Sequence, residues 1–170
     1  VSNQHLITKV YFPRLVIPLA AVLAGLVDFA IAFTVLIAMM VYYGAVPTAT
    51  AAALPVFVLL ALASALAVGL WLSALNVRYR DVRHTIPFLT QVWLFATPVA
   101  YPASVVPGGW QAALWLNPMT AVVEGTRWAL LGTPAPPPAL LGLSVSLVVV
   151  LVAGGLYCFR SMERSFADVV

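Results

Sequence analysis

Ionisable side chains are scarce in this sequence, and their positions restrict the chemistry that it could perform. The 170 residues contain eight Lys and Arg, five Asp and Glu, two His and one Cys. Asp28 lies near the middle of a long apolar run, so it is a candidate for proton or ion transfer, or for a structural hydrogen bond to a neighbouring helix. Glu124 and Arg127 have the i, i+3 spacing of a helical ion pair. Such a pair could hold neighbouring segments together or contact a polar head group.

Several kinds of active site are absent from the sequence. Its one lysine, Lys9, is not part of a G-x-x-x-x-G-K-[ST] phosphate-binding loop. If ATP drives this protein, a separate polypeptide must therefore hydrolyse it. His5 and His84 form no H-x-x-x-H pair and Cys158 is the only cysteine, so neither a metal site nor a disulfide framework is expected. A G-x-S-x-G nucleophile motif is also missing, which argues against covalent catalysis.

The composition is that of an integral membrane protein. Hydrophobic residues make up 64% of the chain and charged residues 8%, with a mean hydropathy of +1.06. Soluble domains are about 45–50% apolar and about 25% charged. The net charge of +3 could suggest nucleic acid, but the basic residues flank apolar runs, as they do on the cytoplasmic side of membrane proteins. We therefore expect an all-α membrane protein without a nucleic-acid partner.

A charged cluster sets the membrane topology. Four charged side chains fall within six positions at residues 78–83, between two apolar runs. A charge at the bilayer centre costs roughly 2.5–3.5 kcal/mol, so this cluster must lie in water or among head groups. We predict four spans, at 15–43, 51–75, 86–101 and 139–159, with loop 76–84 and tail 160–170 on the cytoplasmic side. Residues 1–14 have helical spacing of apolar residues, typical of a short surface or docking helix.

Residues 107–131 predict a pair of re-entrant helices. Residues 110–116 are too few to cross a membrane, and residues 118–131 form a helix of about 21 Å against a hydrocarbon core of about 30 Å. Asn117 is a good N-cap and Pro118 a good first helical residue. If both helices enter and leave on the outer side, seven of the eight basic residues share the cytoplasmic side, and only Arg127 lies opposite.

Aromatic residues concentrate in segment 86–101. Phe88, Gln91 and Phe95 have the spacing of one helix face, and Trp93 and Tyr101 lie in the same segment. Such residues usually anchor a helix at the interface or fill a core. Aromatic faces can also stack on the C–H groups of sugars. On that second interpretation these five residues, together with Asp28, line a translocation path.

The ordered motifs resemble the type-two ABC exporter permeases, in the branch that exports O-antigen, capsule and teichoic-acid polysaccharides. The resemblance covers essentially the whole chain and depends on residues 75–82 (LNVRYRDV), 97–99 (TPV), 101–102 (YP), 116–120 (LNPMT) and Arg127. It implies a cytoplasmic coupling helix at 1–14 and a nearby loop that contact a nucleotide-binding subunit. The residues implied in this contact are Leu6, Lys9, Tyr11, Phe12, Arg14, Arg78, Arg80 and Asp81.

The resemblance also implies an assembly. Such a permease dimerises, pairs with two ATPase subunits that bind ATP and Mg, and moves a lipid-linked glycan across the inner membrane. Members of the resembled family have six spans. This chain starts without Met and is therefore expected to be the C-terminal portion of a permease, with both of its own ends in the cytoplasm. The alternatives are an ion-gradient-driven carrier or channel that uses Asp28, an exporter of another lipid or drug, and a membrane enzyme acting on a lipid-linked sugar.

Overall fold

The structure is a computed structural model, and it describes residues 16–45, 47, 49–79 and 82–166. Its regular elements in these ranges are six α-helices and two short 3₁₀ turns, Ala49–Ala53 and Ala103–Val105. The all-α prediction is therefore confirmed for this part of the chain. The helices are α1 (Val16–Tyr42), α2 (Leu54–Arg78), α3 (Val82–Ala96), α4 (Gly108–Trp115), α5 (Pro118–Leu131) and α6 (Pro138–Phe166).

Three of these helices are long and apolar enough to cross a membrane. The qualifying segments are Leu19–Tyr42 in α1, Ala49–Asn76 across the first turn and α2, and Pro138–Arg160 in α6. Helix α3 has 15 residues, about 22 Å at 1.5 Å per residue. It is therefore shorter than the hydrocarbon core by itself.

The limits of α3 differ from the predicted segment 86–101. The helix begins earlier, at Val82, and takes Pro87 into its interior instead of its first turn. It ends at Ala96, because Pro98 disfavours helical geometry at the preceding Thr97. The amide of Thr97 still bonds the Trp93 carbonyl at 2.9 Å. Residues 97–102 then continue in a non-helical conformation.

Helix α2 is the centre of the packing, with its largest contacts to α6 and α5. Its buried face contains Ser64, Ala67, Leu70 and Ala74. Small side chains on both partners allow the backbones to approach, which is how helices associate within lipid. On α6, a Cβ added at Gly155 would lie 3.1 Å from Leu70 Cβ.

The small residues Ser64, Gly69, Ser144, Ser146 and Gly155 in the apolar segments predict places where helices pack closely, and the outcomes are mixed. Ser64, Ser144 and Gly155 are buried between helices. Gly69, by contrast, has open space around it, and the hydroxyl of Ser146 is exposed and bonds Gly142 of its own helix. Small residues alone therefore did not identify which helix face is covered.

The predicted coupling helix at 1–14 lies outside the described residues. This segment contains five of the residues assigned to contact with the ATPase subunit. Arg80 and Asp81 of the charged loop are also outside the described residues. The backbone of Arg78 ends α2, but its side chain is also outside the described part of the chain. The candidate site is formed by side chains of α3 to α6 and of the segments that connect them.

Candidate functional site

Polar side chains gather where helices α4 and α5 meet the end of α3. We call this set the α5 polar cluster, and it consists of Thr97, Asn117, Thr120, Glu124 and Arg127. Each of these side chains is at least partly buried, and many large apolar side chains of the described residues are exposed. Across the described ranges, His, Cys, Asp and Glu form no group of three that could hold a metal ion. The side chains of the cluster are joined to one another and to nearby backbone groups by hydrogen bonds.

Asn117 fixes the start of α5 and ties it to α3. Its Oδ1 accepts a hydrogen bond from the Met119 amide at 3.1 Å, and Pro118 is the first helical residue. The predicted N-cap is therefore confirmed. The Nδ2 group donates to Thr97 Oγ1 at 2.8 Å, and that hydroxyl in turn donates to the Trp93 carbonyl at 2.9 Å. Asn117 thus holds the last turn of α3 as well as the first turn of α5.

Arg127 holds the chain that follows α3. Its Nη1 donates to Glu124 Oε1 at 2.8 Å and to the Tyr101 carbonyl at 3.1 Å, and its Nη2 donates to the Val99 carbonyl at 2.7 Å. Glu124 Oε1 also accepts the Ala103 amide at 3.0 Å. The predicted Glu124–Arg127 pair is confirmed, and it is part of a larger network that also bonds three backbone groups between residues 99 and 103.

Further hydroxyl groups bond the two helices of the α4–α5 hairpin to each other, to α6 and to the first 3₁₀ turn. Thr120 Oγ1 donates to the Leu114 carbonyl at 2.8 Å, and Ser144 Oγ donates from α6 to the Trp115 carbonyl at 2.7 Å. Thr50 donates to the Ala129 carbonyl at 3.1 Å near the end of α5. Sequence reasoning missed these bonds. The available signal was that a hydroxyl in an apolar segment needs an acceptor.

The aromatic residues of α3 do not form one set. Phe88 and Phe95 are 68% and 73% exposed, and Gln91 is exposed on the same face. Trp93 is partly buried and lines a groove of about 600 Å³ with residues of α1 and α2. The hydroxyl of Tyr101 bonds the Phe95 carbonyl at 3.2 Å. The exposed face therefore keeps three of the five predicted path residues together, and Trp93 faces elsewhere.

Asp28 lies apart from this cluster, near the middle of α1. Its side chain is exposed. Within the described residues its carboxylate takes part in no hydrogen bond or ion pair. The structural role expected for it, a hydrogen bond to a Thr or Tyr of a neighbouring helix, is not found in this part of the chain.

Residues 3–131 match the family described as ABC-2 type transporter. The chain belongs to the ABC-2 type transporter family. The match covers helices α1 to α5 and so includes the whole α5 polar cluster. With its three candidate spans, the chain is part of a multi-pass membrane protein.

Curated proteins similar to this ABC-2 transporter chain are O-antigen export permeases. The chain is 32% identical to the O-antigen export system permease protein RfbA of Myxococcus xanthus over 171 residues, 99% of this chain and 66% of that protein. It is 22% identical to a Klebsiella pneumoniae protein of the same name, over 100% of this chain and 66% of that protein. The chain therefore spans just under two thirds of the length of these relatives.

Proposed function

We propose that this chain is the membrane-spanning part of an ATP-driven exporter of a lipid-linked polysaccharide, of the O-antigen kind, in the cytoplasmic membrane. The family match and the Myxococcus relative support the transporter class and the substrate class. The observation that carries the proposal is the α4–α5 hairpin, with its protein-bonded backbone and its polar cluster. Neither a channel lined by charged rings nor a catalytic site is needed to account for that arrangement.

In the proposed topology the hairpin is re-entrant on the outer side. Helices α4 and α5 have 8 and 14 residues, about 12 and 21 Å, and neither reaches across a core of about 30 Å. Irregular backbone at membrane depth is tolerated only where protein or water covers it. Trp115 and Pro118, on either side of the turn between the two helices, are buried by protein, which supports a covered hairpin. Helix α3 with residues 97–103 completes a fourth crossing, and both chain ends are cytoplasmic.

The glycan path follows the exposed face of α3. Phe88, Gln91 and Phe95 offer apolar ring faces and an amide to a sugar chain, which can stack on the rings while its hydroxyls keep their water. Tyr101 lies at the outer end of this face, next to the Arg127 network. Trp93 lies on another side of α3, where it lines the groove beside α1 and α2, so its place on the path stays a prediction.

The export system requires partners. We propose two copies of the permease and two ATPase subunits that supply the ATP and Mg sites, since this sequence contains no phosphate-binding loop. Residues 1–14 and the loop at 76–84 are the proposed contact with the ATPase. Closure of the ATPase subunits would then rock the spans between discrete packings.

Substitutions at Phe12 and Arg14 test the proposed coupling. In full-length permease reconstituted with its ATPase, Phe12→Ala and Arg14→Ala are expected to lower glycan export at least about tenfold while ATP hydrolysis continues. The reason is that conformational changes of the ATPase would no longer be transmitted to the membrane spans. The measurement is labelled lipid-linked glycan moved into vesicles, together with phosphate release. Asp28→Asn serves as the comparison and should retain export.

A second candidate function, an ion-gradient-driven carrier, is favoured by one observation. Asp28 is an exposed acid in a candidate span without a partner in the described residues, and such acids often mark ion pathways. The same experiment separates the two. Loss of transport in Asp28→Asn, with export insensitive to Phe12→Ala and Arg14→Ala, would favour the carrier and contradict the exporter.

A further inference from the structure

Residues 97–103, of which 97–102 are non-helical and Ala103 begins the second 3₁₀ turn, are bound along their length by side chains of α5 and its N-cap. Asn117 bonds Thr97 at one end, Arg127 bonds the carbonyls of Val99 and Tyr101, and Glu124 bonds the amide of Ala103 at the other end. All three bonding side chains belong to α5 or its cap. The conformation of this segment therefore depends on α5.

These bonds replace the hydrogen bonds that a helix would have provided. Backbone groups without a partner are costly inside a membrane, and α3 stops at Ala96, so the carbonyls of Val99 and Tyr101 have no acceptor role in a helix. Arg127 and Glu124 are 24% and 17% exposed. Hydrogen bonds with a charged donor or acceptor are stronger than bonds between neutral groups, and partial burial leaves these bonds less weakened by water than those of a surface pair.

Helix α3 itself has little other support. Five of its apolar side chains are exposed, namely Phe88, Leu89, Val92, Leu94 and Phe95. Within the described residues, the helix that α3 contacts most is α2. We therefore expect a displacement of α3 to reach the α4–α5 hairpin mainly through the hydrogen bonds at the C-terminal end of α3.

We propose that Asn117, Glu124 and Arg127 are positioning residues that lock residues 97–103 to α5, so that α3 and the α4–α5 hairpin move as one unit during export. This inference rests on the proposed function, because it assigns the lock a part in the transport cycle. Without the lock, the segment would act as a flexible joint. ATP-driven movement of α3 would then be absorbed before it reached the hairpin.

Two pairs of spin labels test the inference in the full-length permease with its ATPase. The background replaces Cys158, and every other cysteine of the full-length permease, with Ala. The first pair, at Val99 and Leu131, joins the segment to the end of α5, and the second pair, at Val41 and Leu94, joins α1 to α3. All four side chains are exposed. Adding a nonhydrolysable ATP analogue should change the α1–α3 distance, while the distribution of Val99–Leu131 distances should stay narrow and keep the same mean.

Arg127→Lys is the variant that weakens the lock while keeping its charge. A lysine ammonium lacks the planar fork that bonds two carbonyls and a carboxylate at once. We expect a broadened Val99–Leu131 distance distribution and export per ATP hydrolysed that is about tenfold lower. Arg160→Lys, the same substitution at an exposed position on α6, should change neither quantity.

The outcomes separate the inference from the function on which it rests. If the permease with its ATPase moves no labelled lipid-linked glycan and the ATP analogue leaves the α1–α3 distance unchanged, the ATP-driven exporter itself is contradicted. If that distance changes and the Val99–Leu131 distance changes with it in the unmodified protein, α3 and the hairpin do not move together and the inference fails alone. It also fails if Arg127→Lys lowers export while the Val99–Leu131 distribution stays narrow.

Discussion

Gly125→Ala should lower the free energy of unfolding by roughly 1–3 kcal/mol, the usual cost of adding volume to a packed core. A Cβ at this position would overlap the ring of Phe57 on α2. That ring is 5% exposed and packs edge-on against Trp128, with centroids 6.4 Å apart. It therefore cannot turn aside without disturbing a second aromatic side chain. Unfolding in detergent micelles, followed by circular dichroism, measures the change.

Two comparisons isolate the overlap at Gly125. Gly69→Ala adds the same methyl group to α2 in open space, so it should be neutral or stabilise by up to about 1 kcal/mol through helix propensity. Phe57→Leu removes the ring, and the double variant Phe57→Leu/Gly125→Ala should lose less than the sum of the two single losses. Equal effects of the alanine at 125 and at 69 would show that α2 and α5 do not pack as described.

Arg127→Met should cost about 2–3 kcal/mol of unfolding free energy, because it removes three hydrogen bonds from a charged donor. The change leaves the carbonyls of Val99 and Tyr101 without their donor and leaves Glu124 without its counter-charge. Methionine keeps most of the side-chain length and apolar stem, so the loss measures the guanidinium bonds. The measurement is again unfolding in detergent micelles.

A double-mutant cycle measures how much of this loss in unfolding free energy comes from leaving Glu124 without its counter-charge. Glu124→Met/Arg127→Met should be less destabilised than the two single variants added together, because no partly buried charge is left unpaired. Arg160→Met, at an exposed residue, should stay within about 0.5 kcal/mol of the unmodified protein. A value for Arg127→Met as small as that control would contradict the network around Arg127.

Local sequence signals were sufficient for the hairpin itself. The pair Asn117-Pro118 predicted the start of α5, and Gly132, whose φ of 66° caps the helix in the left-handed region, follows its last residue. Both features depend on a few neighbouring residues, so one sequence suffices to recognise them. The spacing of Phe88, Gln91 and Phe95 likewise placed them on one helix face, and that face is exposed.

Contacts between distant segments could not be predicted in this way. Sequence spacing gave Arg127 its partner Glu124, three residues away, but not the carbonyls of Val99 and Tyr101, which are 28 and 26 residues away. The position of Trp93 against α1 and α2 also depends on how whole helices pack. The end of α3 at Ala96 lies before the predicted limit at residue 101, because a proline such as Pro98 is compatible with either a bend or a stop, and the sequence does not distinguish the two.

Labelling of single cysteines tests the proposed layout most directly. In right-side-out membrane vesicles, a membrane-impermeant maleimide should label Gly109→Cys at the start of the hairpin and should not label His84→Cys beside the charged loop until the membrane is opened. Both positions are exposed in the structure, so a difference in labelling reports the side of the membrane. Labelling of His84→Cys in sealed vesicles, with Gly109→Cys protected, would reverse the topology and contradict the exporter.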